Sequence, residues 1–133
     1  MKQSILHECL RVAREKHCPS HPSWDKKAVH YSFIVQNNKI LGMGVNRPSL
    51  HPPKHYGYPF YSDLHAEIDA WRKVRGILEE KKWEIVNVKI SKRPNFPIAD
   101  AAPCPVCFHL CVKLGCKAFY FSTNSGQMAK LIS

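Results

Sequence analysis

The order of hydrophobic patterns in this 133-residue chain predicts an α/β protein, a sheet layered with helices. Three observations carry that reading. An apolar stripe at helical spacing opens the chain. Two strand-like runs then flank Asn37-Asn38, and two further helical stretches alternate with strongly apolar strands, giving the order α-β-β-α-β-α-β.

Each element has its own signal. Ile5, Leu6, Cys9, Leu10 and Ala13 recur at helical spacing and predict a helix over 3–16, ended by Pro19, His21, Pro22 and Ser23. Strands are predicted at 28–35 and 39–45, because Asn37-Asn38 has the length and chemistry of a hairpin turn. A loop over 46–61 carries four of the ten prolines and the aromatics Tyr56, Tyr58, Phe60 and Tyr61. A loop of that length is more often functional than idle. Ser62 or Asp63 is the expected cap of a second helix running to about Lys81, with Ile68, Trp71, Val74, Arg75 and Leu78 on one face. A strand over 83–90, an irregular stretch over 91–102 and a third helix from Cys104 to near Gly115 follow. Residues 116–122 read as an apolar strand, and the last residues as a short strand or helix.

Composition bounds the class. The length suits one domain over 1–133, burying roughly two-thirds of its unfolded surface. Hydrophobic residues make up 44%, yet no apolar run approaches the ~20 residues of a membrane span. Residues 1–8 lack the apolar stretch of a signal peptide, so a cytoplasmic protein with no membrane partner is expected. Six cysteines at 9, 18, 104, 107, 111 and 116 then argue for metal binding or burial before disulfides. The net charge of +10 favours phosphorylated or polyanionic partners, although the lysines and arginines are scattered and form no dense tail.

His65-Ala66-Glu67 and Pro103-Cys104-Pro105-Val106-Cys107 carry the chemistry. Together they offer one imidazole, two thiolates and a carboxylate that is not needed as a ligand. Zinc takes four ligands, and a catalytic site keeps one position for water. Cys104 and Cys107, three apart in a helix's first turn, point at one ion, and a helix N-terminus favours thiolate charge. His65 supplies the third ligand if the two helix N-termini face each other. Glu67 then acts as general base and later general acid on water attacking an amidine-like carbon. Backbone N–H groups near Ala66 and Cys104 are candidates to hold the base. The rival reading closes a structural Cys3His site with Cys111, one turn beyond Cys107, but leaves Glu67 without a role. Cys111 among Leu110, Val112 and Leu114 also reads as helix core. His17, Cys18 and His21 form a second ligand-like cluster in a proline-rich context, where a plain loop is expected.

An H-x-E followed by P-C-x-x-C resembles the signature of the zinc-dependent cytidine deaminase-like superfamily. That resemblance implies a three-layer α/β/α fold on a mixed five-stranded sheet, with Zn2+ between two helices. It also implies a possible homo-oligomer. Gly44-Val45-Asn46-Arg47-Pro48 is similar to the segment of tRNA adenosine deaminases whose asparagine contacts the substrate sugar, which makes Asn46 the candidate sugar or base contact. The alternative is a loop asparagine bonded to its own backbone. The stretch from Asn46 to Ala70 is similar to small single-domain cytidine or deoxycytidylate deaminases of tailed phages. Ala101-Ala102 precede Pro103 where many relatives carry a glutamate, which weakens the transfer of substrate identity and leaves the zinc chemistry untouched.

Three substrate readings follow. The first is a hydrolytic deaminase converting cytosine to uracil in a free nucleotide or nucleoside, of the deoxycytidylate or cytidine type. Asn46 and Ala66 would contact the substrate and Arg47, Lys54 or His51 its phosphate. The second is a cytosine or adenine deaminase acting on single-stranded DNA or RNA. Its support is the +10 charge with Trp24, Tyr56, Tyr58, Phe60 and Tyr61, whose rings stack bases or merely tie down the loop. The third is a zinc-stabilised binding module without turnover, against which the intact Glu67 argues.

Overall fold

A computed structural model describes residues 1–22, 25–49, 52, 57–60, 63–79 and 82–132. Helix α1 spans Gln3–Lys16 and buries Leu6, Cys9 and Ala13, the stripe expected from its spacing. Strands β1 (Ala28–Gln36) and β2 (Lys39–Val45) form the hairpin. Asn37 and Asn38 sit at φ 54° and 57°, the left-handed pair that a two-residue turn requires.

Two-residue strands β3 (Arg47–Pro48) and β4 (Asp63–Leu64) pair antiparallel and deliver the chain to α2 (Ala66–Val74). Here the structure corrects the sequence. The helix starts three to four residues after the expected cap, because Asp63 and Leu64 are drawn into pairing with Arg47 and Pro48. It also ends at Val74, well short of Lys81, in a turn around Gly76 where Val74 O accepts from Ile77 N and Leu78 N. Nor does it bury one face alone. Ala66 through Trp71 are all buried, because α2 is covered by β2 on one side and α3 on another.

Close approach to β2 depends on Gly44. A Cβ added there would lie 2.2 Å from Ala70 N and 2.4 Å from Ala66 O, both backbone atoms that cannot yield. The glycine therefore fixes how near α2 can come to the hairpin.

The remaining elements are β5 (Trp83–Ser91), β6 (Ile98–Ala99), α3 (Pro105–Lys113), β7 (Cys116–Ser122) and β8 (Met128–Ile132). The irregular stretch thus contains one short strand, β6, pairing with the end of β5. Pro105 at the first helical position suits a helix start, and Gly115 at φ 114° ends the helix. The main sheet runs β2-β1-β5-β7-β8; β5 and β7 are parallel and every other pair is antiparallel. It is a mixed five-stranded sheet, with β6 beside it.

Alternation along the strands makes three layers. Val29, Tyr31, Phe33 and Val35 of β1 and Val86, Val88 and Ile90 of β5 pack with Leu6, Cys9 and Ala13 of α1. Ile34 and Ile85 pack on the opposite side with Ile68, Trp71, Val74, Leu110 and Cys111 of α2 and α3. Among the described residues, no helix is long and apolar enough to cross a membrane.

Candidate active site

His65 is the residue before α2, with extended backbone at φ −72° and ψ 152°. Its N–H donates to the Tyr58 hydroxyl at 2.9 Å, and that hydroxyl donates to Asp63 O, also at 2.9 Å. Phe60 stacks on the imidazole at 4.3 Å between centroids, and Tyr58 meets it edge-on. The imidazole is thereby held from its backbone and its ring face. Tyr58 is 2% exposed, so its expected role as a stacking platform for an exposed base gives way to anchoring His65.

Cys104 is the N-cap of α3 and Cys107 lies in its first turn, as the C-x-x-C spacing predicts. Cys107 Sγ lies 3.2 Å from His65 Nδ1, and the ligand atoms of His65, Cys104 and Cys107 all fall within 4.8 Å of one another. Zn–N and Zn–S bonds of about 2.0 to 2.3 Å place neighbouring tetrahedral donors roughly 3.5 Å apart, so the trio fits zinc. Burial pushes the His65 pKa down, which keeps the ring neutral and a lone pair free for a metal. Burial raises the Cys107 thiol, with Glu67, Cys111 and Cys104 adding to the effect, so a thiolate there calls for a cation beside it. Cys111 lies outside the trio, fully buried on the core side of α3. All six cysteines are free thiols.

Glu67 is 6% exposed. Burial raises its carboxyl pKa, an effect opposed by its own backbone N–H and by the Asn87 amide, whose Nδ2 donates to Oε2 at 3.3 Å. Asn87 is itself fixed: Oδ1 accepts from Ser32 Oγ at 2.6 Å and Nδ2 also reaches Ala101 O at 3.4 Å. Ser32 and Asn87 are directly paired across β1 and β5. The motif reading missed both. Their signal was a polar residue inside an apolar strand, which is informative because strand interiors seldom bury one without a purpose.

Around these groups lies a cavity of about 180 Å³, lined by His30, Asn46, His65, Ala66, Glu67, Ala102 and Cys104. Ala66, the first residue of α2, brings a helix N-terminus to its wall. Asn46 is buried; its Oδ1 accepts from His30 N at 2.9 Å and its backbone O bonds to His21 Nε2 at 2.8 Å. Asn46 Nδ2 has no hydrogen-bond partner among the described residues, an arrangement suited to a ligand acceptor. The Asn46 side chain thus bonds to the backbone of His30 and not to its own.

The remaining sequence candidates separate. Arg47 does not line the cavity; its guanidinium sits on buried Asp69, with Nη2 at 2.7 Å and Nε at 3.1 Å from Oδ1. Asp69 Oδ2 also accepts from Val45 N and pairs with Lys73, so the segment flanking Asn46 is tied to α2. Arg47 thus anchors the segment after Asn46 to α2 through two of its guanidinium nitrogens. His17 bonds to the Tyr31 hydroxyl, Cys18 is exposed and His21 serves Asn46, so those three form no metal group. His51, Lys54, Tyr56, Tyr61, Trp24 and Ser62 lie outside the described residues.

No family model matches the chain, and no curated protein does. Solved structures do. The apo dCMP deaminase of cyanophage S-TIM5 superposes with a TM-score of 0.60 at 22% identity, over 92% of this chain and 86% of that one. The same enzyme in complex with dCMP and dUMP gives 0.56 at 20%, over 95% and 89%. A cytidine deaminase from Burkholderia pseudomallei gives 0.62 at 18%, over 99% and 93%. At these identities the likeness establishes the fold: this chain has the cytidine deaminase-like architecture, with a His-Cys-Cys group suited to zinc.

Proposed function

We propose that this protein is a zinc-dependent hydrolytic deaminase that converts the cytosine of a nucleotide or nucleoside to uracil, with release of ammonia. The observation that carries this reading is the buried Glu67 carboxyl in the same small cavity as the His65 and Cys104 donors, with Cys107 Sγ 3.2 Å from His65 Nδ1. A purely structural metal site has no use for such a group. The likeness to a deaminase whose structure holds dCMP and dUMP, differing by one deamination, supports the substrate class.

His65, Cys104 and Cys107 would hold the ion, and zinc in such a set supplies a water that is activated near neutral pH. Glu67 then does the proton work. It accepts a proton from the attacking water, gives it to the ring nitrogen beside the reacting carbon, and carries the second proton to the departing amine. The C–O bond forms first, as the ring nitrogen is protonated, and the C–N bond breaks after the amine has taken its proton, so water and cytosine become uracil and ammonia. Burial favours the neutral carboxyl and the Asn87 amide favours the charged one, the balance that a group alternating between the two forms needs. Asn46 Nδ2, without a hydrogen-bond partner among the described residues, would donate to the sugar or base, and Ala66 brings the start of α2 to the same cavity wall. The cavity's size suits one unstacked base.

A mass-spectrometric screen tests this. Zinc-loaded protein meets cytidine, deoxycytidine, their monophosphates, adenosine, and mixed single-stranded DNA and RNA, with Glu67→Ala as control. Conversion of a cytosine monomer that the control lacks is the expected outcome. Conversion of adenosine alone would overturn the cytosine assignment, and a blank panel would favour a non-catalytic zinc module.

A further inference from the structure

Beside the catalytic cavity lies a second and larger one of about 850 Å³, lined by Lys26, Lys27, Lys89, Lys92 and Arg93, with Ala28 and Ser91 among its walls. Among the described residues, five lining side chains are cationic and none is acidic. These residues look scattered in sequence, but the β1–β5 pairing gathers 26–28 and 89–93 at one end of the sheet.

The two cavities stand on one ladder of cross-strand pairs. Ser32 faces Asn87, which holds Glu67; His30 faces Lys89; Ala28 faces Ser91. His30 lines the catalytic cavity, while Lys89, Ala28 and Ser91 line the basic one. The pairs fall on the same face at two-residue steps, so the catalytic carboxylate's rung and the groove's outer rung are roughly 13 Å apart. Asp25 joins them, with Oδ2 3.3 Å from His30 Nε2 and 3.6 Å from Lys89 Nζ. Lys92 Nζ is fixed by the carbonyls of His21 and Asp25 at 3.3 and 3.1 Å. That one carboxylate leaves the cluster strongly positive.

We propose that this groove binds the phosphates of a single-stranded nucleic acid whose cytosine occupies the catalytic cavity. One phosphate of a free nucleotide uses neither five cations nor a groove larger than the base site, whereas a strand places a charge at every residue along its course. A duplex does not fit the arrangement, because the reacting base must leave its stack to enter so small a space. The substrate assignment rests on the deaminase reading above; the phosphate-binding assignment does not.

The probe that separates them is a labelled, cytosine-free oligo(dT) fifteen-mer, followed by fluorescence anisotropy across salt. Contact with three to five phosphates gives a log–log salt slope of about −2 to −3.5. The triple variant Lys26→Gln, Lys27→Gln, Arg93→Gln is expected to weaken binding at least tenfold and to flatten that slope by about 2. Its conversion of a cytosine mononucleotide should stay at the parent's level, and its conversion of cytosine within an oligonucleotide should fall with binding. A flat salt profile, or a triple variant that binds oligo(dT) as the parent does, overturns the groove assignment. Competition by inorganic tripolyphosphate as strong as by the oligomer, at equal phosphate, overturns it in favour of a compact polyphosphate ligand. Conversion of monomers but never of strand cytosine overturns the substrate assignment. Groove-dependent strand binding with no deamination of any substrate supports the groove and sinks the deaminase reading instead.

Discussion

The two faces of the central sheet are built from alternate residues of the same strands, yet they have opposite chemistry. Toward α1, β1 and β5 present Val29, Tyr31, Phe33, Val35, Val86, Val88 and Ile90, and the charge on that face, Glu84 opposite Val35, is paired with Lys117. Toward α2 and α3, the ladder begins with the apolar pair Ile34–Ile85 and then turns polar: Ser32–Asn87, His30–Lys89, Ala28–Ser91. A strand's period of two lets one face specialise in cohesion while its neighbour carries groups that burial makes costly. Substitutions one position apart should therefore fail in different ways.

The largest expected effect is on the functional face. Glu67→Gln keeps the shape but cannot accept a proton, and turnover should fall by about 10³- to 10⁴-fold with zinc content and unfolding midpoint retained. Cys107→Ala should lose bound zinc as well, read by metal analysis of the purified protein. A Glu67→Gln protein turning over near the parental rate would remove the carboxylate from the reaction.

Next comes the cohesive face. Phe33 is fully buried against α1 and opposite Val86. Phe33→Ala should cost about 3–5 kcal/mol in urea unfolding while the rate per folded molecule stays within twofold. A collapse of rate at full folding would mean that the two faces are not separable.

The sheet's pairing also decides what the sequence could reveal. Local signals were legible: the apolar stripe of α1, the Asn37-Asn38 turn, the strand Cys116–Ser122 and each of the two short motifs that carry the candidate zinc donors depend on neighbours a few residues away. What escaped needed register or long-range pairing. Asp63 and Leu64 could not be removed from a helix without knowing that Arg47 and Pro48 pair with them. Arg47 could not be assigned to Asp69, 22 residues on, from its motif alone. The convergence of Lys26 and Lys27 with Lys89, Lys92 and Arg93, and of Ser32 with Asn87, exists only once β1 lies on β5.

His30 sharpens the comparison by pH. Burial, with Lys89 and His65 adding to it and Asp25 opposing, lowers its pKa from 6.5 to about 4. A folded-state value below the unfolded one means that the unfolded chain takes up the proton first as pH falls. The contribution is complete above about pH 6.5 and is lost between there and about pH 4. Between pH 7.5 and 5, His30 should account for about 2 kcal/mol of lost stability. His30→Gln should shrink the difference between urea midpoints at those two pH values; an unchanged difference would place the acid sensitivity elsewhere.

The smallest effect tests the ladder itself. Ser32 touches neither the metal donors nor the cavity wall; it acts through Asn87, whose Oδ1 it holds at 2.6 Å while the amide's other end meets Glu67. Ser32→Ala removes that donor, and the Asn87 amide is then free to turn its oxygen toward Glu67, where it would repel the charged carboxylate it now favours. A cost of about 1 kcal/mol follows from losing one buried hydrogen bond. If the role were only structural, that loss would appear in the urea midpoint and nowhere else. If Ser32 positions the proton carrier, kcat should fall several-fold at unchanged KM and zinc content, and Ser32→Thr, which keeps the hydroxyl, should recover most of it. The same substitution at Val35, on the opposite face, should move the midpoint and leave kcat alone.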